Sequence, residues 1–380
     1  MLFWERDNAL AGVMADKVEG VSTAQSFIWM IVYCVFLTVL RWLAEALFKQ
    51  CGIRAMGLSK QPLEVANPIP ANVRDAFGYK VSDVLAWKAK QIKAKVDYQS
   101  LKVAEKQQWR QAVEEVAKKT GSNPADVQRY LKIKKHDESR SNKLKKFAEA
   151  GWRASFYSFA VVFGVYALHD KPWLTDTYLC WSGHPNFTVP PIVMHYYMIE
   201  LGFYLHLLVS QFFDVRRKDF FEMLVHHVCT ILLLSGSWAI NFARIGTLVL
   251  LVHDITDPVL EGAKVLKYMN YQRATDVGFV LFALTFFVCR IIIFPTKVVY
   301  SAWEESRMAL LDGAVEPRPW MAIARLSFNV LLFALLLLHI MWMITILRMV
   351  ISYLRTGAVG NDARSESDED EEDENSKKKQ

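Results

Sequence analysis

Seven apolar stretches of roughly bilayer-spanning length are the strongest constraint on how this 380-residue chain can fold. A transmembrane helix needs about 20 consecutive apolar residues, and 53% of the sequence is hydrophobic. The stretches are Phe27–Phe48, Ala154–His169, Ile192–Phe213, Phe221–Ile240, Ile245–Leu260, Val277–Tyr300 and Met321–Leu354. Because backbone polar groups in lipid must be satisfied within the segment, each stretch is expected to be a helix. We therefore predict an all-α, polytopic membrane protein with about seven transmembrane helices.

The distribution of basic residues predicts which side of the membrane each loop faces. Residues 51–153 hold 22 Lys and Arg against 11 Asp and Glu, and "DVRRKDF" at 214–220 also clusters basic residues at a span end. Because basic loops favour the cytosol, the N-terminus is expected to be lumenal and the C-terminus cytosolic. The sequon "NFT" then makes Asn186 a candidate lumenal glycosylation site. The terminal "KKKQ" resembles a dilysine retrieval signal, so we expect an endoplasmic reticulum membrane protein.

The same features divide the chain into four expected regions. They are a lumenal N-terminus with the first transmembrane helix (1–50), a cytosolic basic region (51–150), a membrane domain (151–355) and an acidic cytosolic tail with the dilysine end (356–380). The tail contains "SESDEDEEDE", whose self-repulsion predicts disorder. Ser365 and Ser367 lie in the acidic surroundings typical of phosphorylation sites.

The basic region 51–150 is predicted to form a small cytosolic helical domain that resembles a homeodomain. Helices are expected near 82–97 and 106–119, followed by a helix that Ser122 or Asn123 caps and that has Pro124 in its first turn.

The residues by which a homeodomain reads DNA are missing from this homeobox-like region. Tyr130 and Leu131 replace the Trp-Phe pair of the recognition helix, and Ile133 stands at the position of the adenine-reading Asn. We therefore expect no sequence-specific nucleic-acid partner. The retained positive charge favours contact with anionic lipid headgroups instead.

Ionisable residues inside the apolar stretches point to a functional site. Each charged group near the bilayer centre costs on the order of 2.5–3.5 kcal/mol on insertion scales, so such groups usually face a cavity or one another. The third, fourth and fifth stretches contain His195, Glu200 and His206, then His226 and His227, and finally His253, Asp254 and Asp257. The lone histidines His195, His206 and His253 are interpreted as structural hydrogen-bonding groups.

The histidine pair and the aspartate pair are expected at matching depth. His226 and His227 lie roughly 10 Å from the cytosolic start of the fourth stretch, and Asp254 and Asp257 lie about 8–12 Å from the cytosolic end of the fifth. Asp254 and Asp257, three residues apart, would share one helix face. A carboxylate beside an imidazole fixes its tautomer, so that the histidine can act as a general base or a nucleophile.

Residues 195–271 closely resemble the corresponding region of ceramide synthases, within the wider TLC-domain family. The resemblance rests on "DVRRKDF", the His pair, the pattern Asn241-x-x-Arg244-x-Gly246 and "HD-x-x-D-x-x-LE-x-x-K". It implies transfer of a fatty acyl group from acyl-CoA to the amine of a sphingoid long-chain base. It also implies that His226, His227, Asp254 and Asp257 are catalytic.

The resemblance further suggests how the substrates bind. Arg216, Arg217 and Lys218 would meet the phosphates of acyl-CoA at the cytosolic mouth, and Asn241 and Arg244 are assigned to substrate binding. Acyl-CoA serves as co-substrate, and neither a cofactor nor a metal is expected. The partners would be acyl-CoA, the sphingoid base and membrane lipids, with homo- or hetero-dimers with paralogues as a further expectation.

Two finer expectations concern mechanism and chain length. We favour His226 as the residue that carries the acyl group in an acyl-imidazole, with direct attack by the sphingoid amine as the alternative route. In the resembling family the loop corresponding to 301–320 carries the acyl-chain length preference.

Two functions of other classes compete with the acyltransferase. One is a non-enzymatic TLC-like protein that handles lipids, which would be expected to lack the His and Asp pairs. The other is a proton-coupled transporter, because His/Asp sets inside a membrane also make proton relays. The internally repeated halves with broken helices that many transporters show are not visible in this sequence.

Overall fold

The computed structural model of the protein describes residues 18, 21–58, 114, 117–118, 123–214, 219–315, 317 and 319–356. This part of the chain is helical throughout its regular structure and contains no strand, as predicted. The helices are α1 (Thr23–Ala55), α2 (Pro124–Leu168), α3 (Pro191–Ser210), α4 (Phe220–Ala239), α5 (Ala243–Asp254), α6 (Asp257–Tyr268), α7 (Gln272–Phe286), α8 (Ser306–Leu311) and α9 (Met321–Thr356). Short 3₁₀ turns lie at Pro172–Leu174 and Thr177–Cys180, and π-helical segments at Phe287–Val299 and Ser301–Glu305.

The chain forms two compact units. The larger comprises residues 1–52 and 145–380, and the smaller comprises residues 53–144. In the smaller unit, the backbone N–H of Ala125 donates to Oδ1 of Asn123 at 3.0 Å, so Asn123 is the predicted N-cap of α2. Most of the two helices expected before it lies outside the described residues, as do the acidic tail and Arg216, Arg217 and Lys218.

Five helices of the described chain are long and apolar enough to cross a membrane. They are Thr23–Ala55, Pro191–Ser210, Phe220–Ala239, Gln272–Leu311 and Met321–Arg355. Of the two remaining predicted spans, 154–169 forms the second part of α2, and 245–260 is divided between α5 and α6. The expected total of seven spans therefore stays a prediction.

The fifth predicted span is broken between its two aspartates. Helix α5 ends at Asp254 and α6 begins at Asp257, with Pro258 in the first turn of α6. Proline fits the first turn of a helix because it needs no N–H partner there. Asp254 and Asp257 therefore lie on two different helices, and the expectation of one shared helix face is wrong.

The sixth predicted span is longer than expected. Helix α7 passes directly into the π-helical segment Phe287–Val299, which contains Pro295, and the helical backbone continues to Leu311. Proline removes a backbone hydrogen bond, and π-helical turns in α-helices occur frequently at functional sites. The expected loop 301–320 is thus helical over its first half, and only residues 312–320 connect to α9.

The large core of the bigger unit lies around α3. It contains the fully buried rings of Tyr196, Tyr197 and Phe203, which pack with Trp238 of α4 and Phe294 of the π-helical segment. Helix α1, in contrast, leaves most of its apolar side chains exposed, including Ile28, Trp29, Val35 and Phe36. Such exposure suits a helix whose outer face meets lipid.

Candidate active site

One large cavity lies among α2, α3, α4, α6, α7 and α9 and brings three of the predicted site residues together. It has a volume of about 1220 Å³, which includes space open to the surroundings, and His226, His227 and Asp257 are in its lining. The walls also include apolar side chains from α6, α7 and α9, among them Leu260, Phe282, Phe286, Ile346 and Met349. The cavity therefore combines titratable groups with apolar walls.

His227 is held by an amide and not by the expected carboxylate. Its Nδ1 lies 3.0 Å from Oε1 of Gln211, which directly follows α3. The amide nitrogen of Gln211 donates in turn to the backbone oxygen of Phe220 at 2.7 Å. Because a backbone oxygen can only accept, the amide orientation is fixed and the oxygen faces His227.

His226 is held by ring packing. Its ring lies 5.4 Å from that of Trp342 and 6.3 Å from those of Tyr204 and His253, measured between centroids. Its Nδ1 is buried and has no hydrogen-bond partner among the described residues. Hydrogen bonding therefore does not select either tautomer of His226 in this part of the chain.

Asp254 lies behind the cavity and not in its wall. The carboxylate is fully buried, and Oδ2 accepts a hydrogen bond of 3.1 Å from the hydroxyl of Tyr196. Tyr196 and Glu200 are one turn apart on α3, and Glu200 is also fully buried. Both carboxyl oxygens of Glu200 lack a hydrogen-bond partner among the described residues.

Asp257 is paired with a cation from the π-helical segment. Nη2 of Arg290 donates to Oδ1 of Asp257 at 2.7 Å and to the backbone oxygen of His253 at 3.0 Å. The Thr256 hydroxyl, 3.2 Å away, donates to the same Asp257 oxygen. Arg290 thus binds both the carboxylate and a carbonyl at the break between α5 and α6, where helix ends leave carbonyls unpaired.

His253 forms a second histidine pair behind His226. Its Nδ1 lies 2.6 Å from the backbone oxygen of Val249, and its Nε2 lies 3.0 Å from Nε2 of His339. Since Nδ1–H must donate to the carbonyl, Nε2 of His253 is the acceptor and His339 is the donor. The other lone histidines are also bonded, His195 to Tyr33 and His206 to Thr38, each at 2.9 Å.

Further charged side chains line the cavity besides the Arg290–Asp257 pair. Arg153 and Lys264 are the basic members, and Asp214, Asp219 and Glu261 are the acidic ones. Arg153 contacts Asp214 at 2.9 Å, and Lys264 contacts Glu261 at 2.7 Å. Asp214 comes directly before the basic sequence at 215–218, which lies outside the described residues.

Asn241 and Arg244 hold a loop and are not among the residues that line the cavity. The Asn241 amide donates to the backbone oxygens of Pro185 and Phe187 at 2.8 and 2.9 Å. Arg244 donates to the backbone oxygen of Leu179 at 2.9 Å, and its guanidinium lies 3.6 Å from the Phe187 ring centroid. Their expected role in substrate binding therefore finds no support in this geometry.

The loop that Asn241 and Arg244 hold carries the predicted glycosylation site. Asn186 and Thr188 of the sequon are both exposed, as an acceptor site requires. Cys180, in contrast, is buried in the same loop, and burial raises the pKa of its thiol. Among the described residues, no group of three His, Cys, Asp or Glu side chains could hold a metal ion.

Several residues of the site were missed by the sequence reasoning. Arg290 and His339 lie within the predicted sixth and seventh spans, so an inventory of every ionisable residue in the apolar stretches would have found them. Gln211, Tyr196 and Tyr204 carry no such signal, because polar and aromatic residues at span ends and in cores are common.

A profile of the TLC domain matches residues 146–348, which is more than half of the chain. Human ceramide synthase 4 is 38% identical over 255 residues, which cover 67% of this chain and 62% of the relative. Ceramide synthase hyl-1 of Caenorhabditis elegans is 42% identical over 231 residues, which cover 60% of this chain and 62% of the relative. For human ceramide synthase 3 the identity is 37% over 236 residues, 62% of this chain and 58% of the relative.

The match thus spans less than two thirds of these relatives' own lengths. The profile match includes the residues that line the cavity from Arg153 to Ile346, and Met349 lies one residue beyond its end. The helical architecture with its candidate membrane spans agrees with the profile match, and the chain belongs to the TLC-domain family.

Proposed function

We propose that this protein is a ceramide synthase, which transfers a fatty acyl group from acyl-CoA to the amine of a sphingoid long-chain base. The observation that carries the proposal is the cavity in which His226, His227 and Asp257 meet beside apolar walls. The relatives named above support the same reaction, since all three are ceramide synthases.

The reaction needs a base or nucleophile at a place that water reaches poorly. The amine nitrogen forms a bond to the thioester carbon, the carbon–sulfur bond breaks, and a proton from the amine ends on the released CoA thiolate, which becomes a thiol. A neutral imidazole can take that proton or can first accept the acyl group itself. Exclusion of water from a cavity embedded in the bilayer would protect an acyl-imidazole from hydrolysis.

The charged and apolar side chains that line the cavity suit the two parts of the substrates. Arg153 and Lys264 offer cations to the phosphates of acyl-CoA, and the lining carboxylates suit an amine. The apolar walls suit the hydrocarbon chains. Arg216, Arg217 and Lys218 belong to the same proposal because they follow Asp214 in the sequence.

In this proposal the two aspartates influence the histidine pair without contacting its side chains directly. Asp257 holds Arg290 beside the cavity, and Asp254 fixes the hydroxyl of Tyr196. We place Asp257 in the site as the group that balances the charge of Arg290 and Asp254 as the group that holds Tyr196, without a cofactor or metal. The protein is proposed to lie in the endoplasmic reticulum membrane with a lumenal N-terminus and a cytosolic C-terminus, alone or as a dimer with paralogues.

The test is microsomal N-acylation with a panel of acyl-CoAs and long-chain bases, read by mass spectrometry. Microsomes come from cells that lack their own ceramide synthases, and the matched control is the His226→Ala/His227→Ala double variant at equal protein level. The proposal predicts N-acylated base only with the wild type. Absence of product for every pair of substrates, from protein that accumulates normally in membranes, would refute it.

A further inference from the structure

Gln211 is the one hydrogen-bond partner that the described structure gives to the histidine pair's side chains. The residue directly follows α3, and its amide contacts α4 twice: it donates to the backbone oxygen of Phe220, where α4 begins, and it accepts from Nδ1 of His227 about two turns further along α4. Gln211 and His227 both line the cavity. The amide is therefore placed to control the ring at the surface that substrate meets.

The chemistry of the three groups leaves only one arrangement of protons. The Phe220 oxygen has no proton to give, so the NH₂ of Gln211 must face it. The Gln211 oxygen then faces His227 and can only accept, so Nδ1 of His227 carries the proton. A neutral imidazole has one N–H, so Nε2 of His227 is unprotonated and its lone pair is available.

Nε2 of His227 is also free to act. Among the described residues it has no hydrogen-bond partner. It is also not one of the fully buried atoms without a partner, so it remains accessible. His226 differs at Nδ1, which is buried without a partner, and its ring is placed by packing against Trp342. Nε2 of His226 is in the same state as Nε2 of His227, so the two rings differ in the hydrogen bond that Gln211 makes to His227. His227 is therefore the ring of the pair whose tautomer is fixed by a hydrogen bond.

We propose that Gln211 is a positioning residue that holds His227 in the Nδ1–H tautomer, so that Nε2 of His227 is the atom that accepts the proton of the sphingoid amine. This inference rests on the proposed function. The amine nitrogen bonds to the acyl carbon as the bond from that carbon to its leaving group breaks. Nε2 of His227 takes the amine proton, which ends on the CoA sulfur.

The first test compares kinetics in the full-length protein. Gln211→Met keeps the size of the side chain and removes both hydrogen bonds, so we expect kcat to fall by about 10- to 100-fold, the usual effect of losing a group that orients a histidine. KM for acyl-CoA should stay within about two-fold, because the bare nitrogen is needed only in the transition state. The matched control is Thr38→Val, which removes the hydroxyl bonded to Nδ1 of His206, a buried histidine that does not line the cavity.

The second variant separates positioning from a structural role. Gln211→Glu keeps an acceptor for Nδ1–H and adds a negative charge that favours the protonated ring. We expect it to keep more activity than Gln211→Met and to move the acidic limb of the pH–activity profile up by about one unit. Full kcat in Gln211→Met, an equal loss in Thr38→Val, or an unmoved profile in Gln211→Glu would overturn the proposal.

A measurement independent of activity keeps the two proposals apart. Nitrogen-15 NMR of histidine-labelled protein in lipid distinguishes a ring protonated at Nδ1 from one protonated at Nε2. We expect an Nδ1–H ring signal that disappears in Gln211→Met and remains in Thr38→Val. That result without any N-acyl product would support the role of Gln211 and refute the proposed function, whereas an unchanged signal in Gln211→Met would refute the role of Gln211.

Discussion

Arg290 of the π-helical segment and Asp257 at the start of α6 form a hydrogen-bonded ion pair, with 2.7 Å between Nη2 and Oδ1. Both side chains are mostly shielded, with 6% of Arg290 and 17% of Asp257 exposed. A buried charge without a partner destabilises the folded protein, so each of these groups offsets the free-energy cost of burying the other. The pair also ties the break between α5 and α6 to the neighbouring helix, because Arg290 binds the His253 carbonyl as well.

Asp257→Asn should therefore harm the protein more than Asp254→Asn. The first leaves the Arg290 cation unbalanced, which costs about 3 kcal/mol or more when a buried pair is broken. The second keeps an oxygen that can accept from Tyr196, so its loss should be about 1 kcal/mol. Thermal unfolding and N-acylation, measured in the same detergent, check both effects. A more damaging Asp254→Asn would contradict this order.

The sequence predicted the parts of this protein that follow from simple periodic or compositional rules. Apolar length predicted five of the candidate spans, and the cost of ionisable groups in lipid pointed to His226, His227 and Asp257. Tertiary packing decided the rest. Pro258 suggested a loosened backbone, but the separation of Asp254 and Asp257 onto two helices depends on where α5 and α6 pack. Asn241 and Arg244 were assigned to substrate binding on the family resemblance, and no sequence pattern shows that their partners are backbone oxygens of a loop.

Asn186 should be glycosylated if the loop it occupies is lumenal. The Asn186 side chain is exposed, whereas Cys180 and Trp181 of the same loop are buried. The sequon therefore lies on the surface of a packed loop. Endoglycosidase treatment should increase the mobility of the wild type and leave Asn186→Gln unchanged. Cleavage of this loop by protease added from the cytosolic side would contradict the topology.

Acyl-chain length preference should follow residues 312–320 and not 301–311. Ser301 and Ala302 are buried, and Ser301 accepts a hydrogen bond of 2.9 Å from the Trp181 indole, so exchange of the helical half should disrupt packing. Exchange of 312–320 with the segment of a ceramide synthase of different preference should shift the chain length of the product. An active chimera with an unchanged product profile would exclude this segment.

A covalent route predicts an acylated enzyme in the absence of sphingoid base. Intact-protein mass spectrometry after incubation with acyl-CoA alone should then show one acyl increment and released CoA. The increment should be absent in His226→Ala and should transfer to added base. Full turnover with no increment and no CoA release before the base is added would favour direct attack by the amine.

The central claim is that the histidines of this cavity catalyse acyl transfer, and purified protein in lipid nanodiscs tests it most directly. The measurement is the amount of N-acylated sphinganine formed from one acyl-CoA by the wild type, His226→Ala, His227→Ala and the control Thr38→Val. We predict product from the wild type and Thr38→Val and a loss of at least about 100-fold in both histidine variants, since removing a general base or nucleophile costs about 10²–10⁴-fold. Product at the wild-type rate from folded His227→Ala would contradict the account.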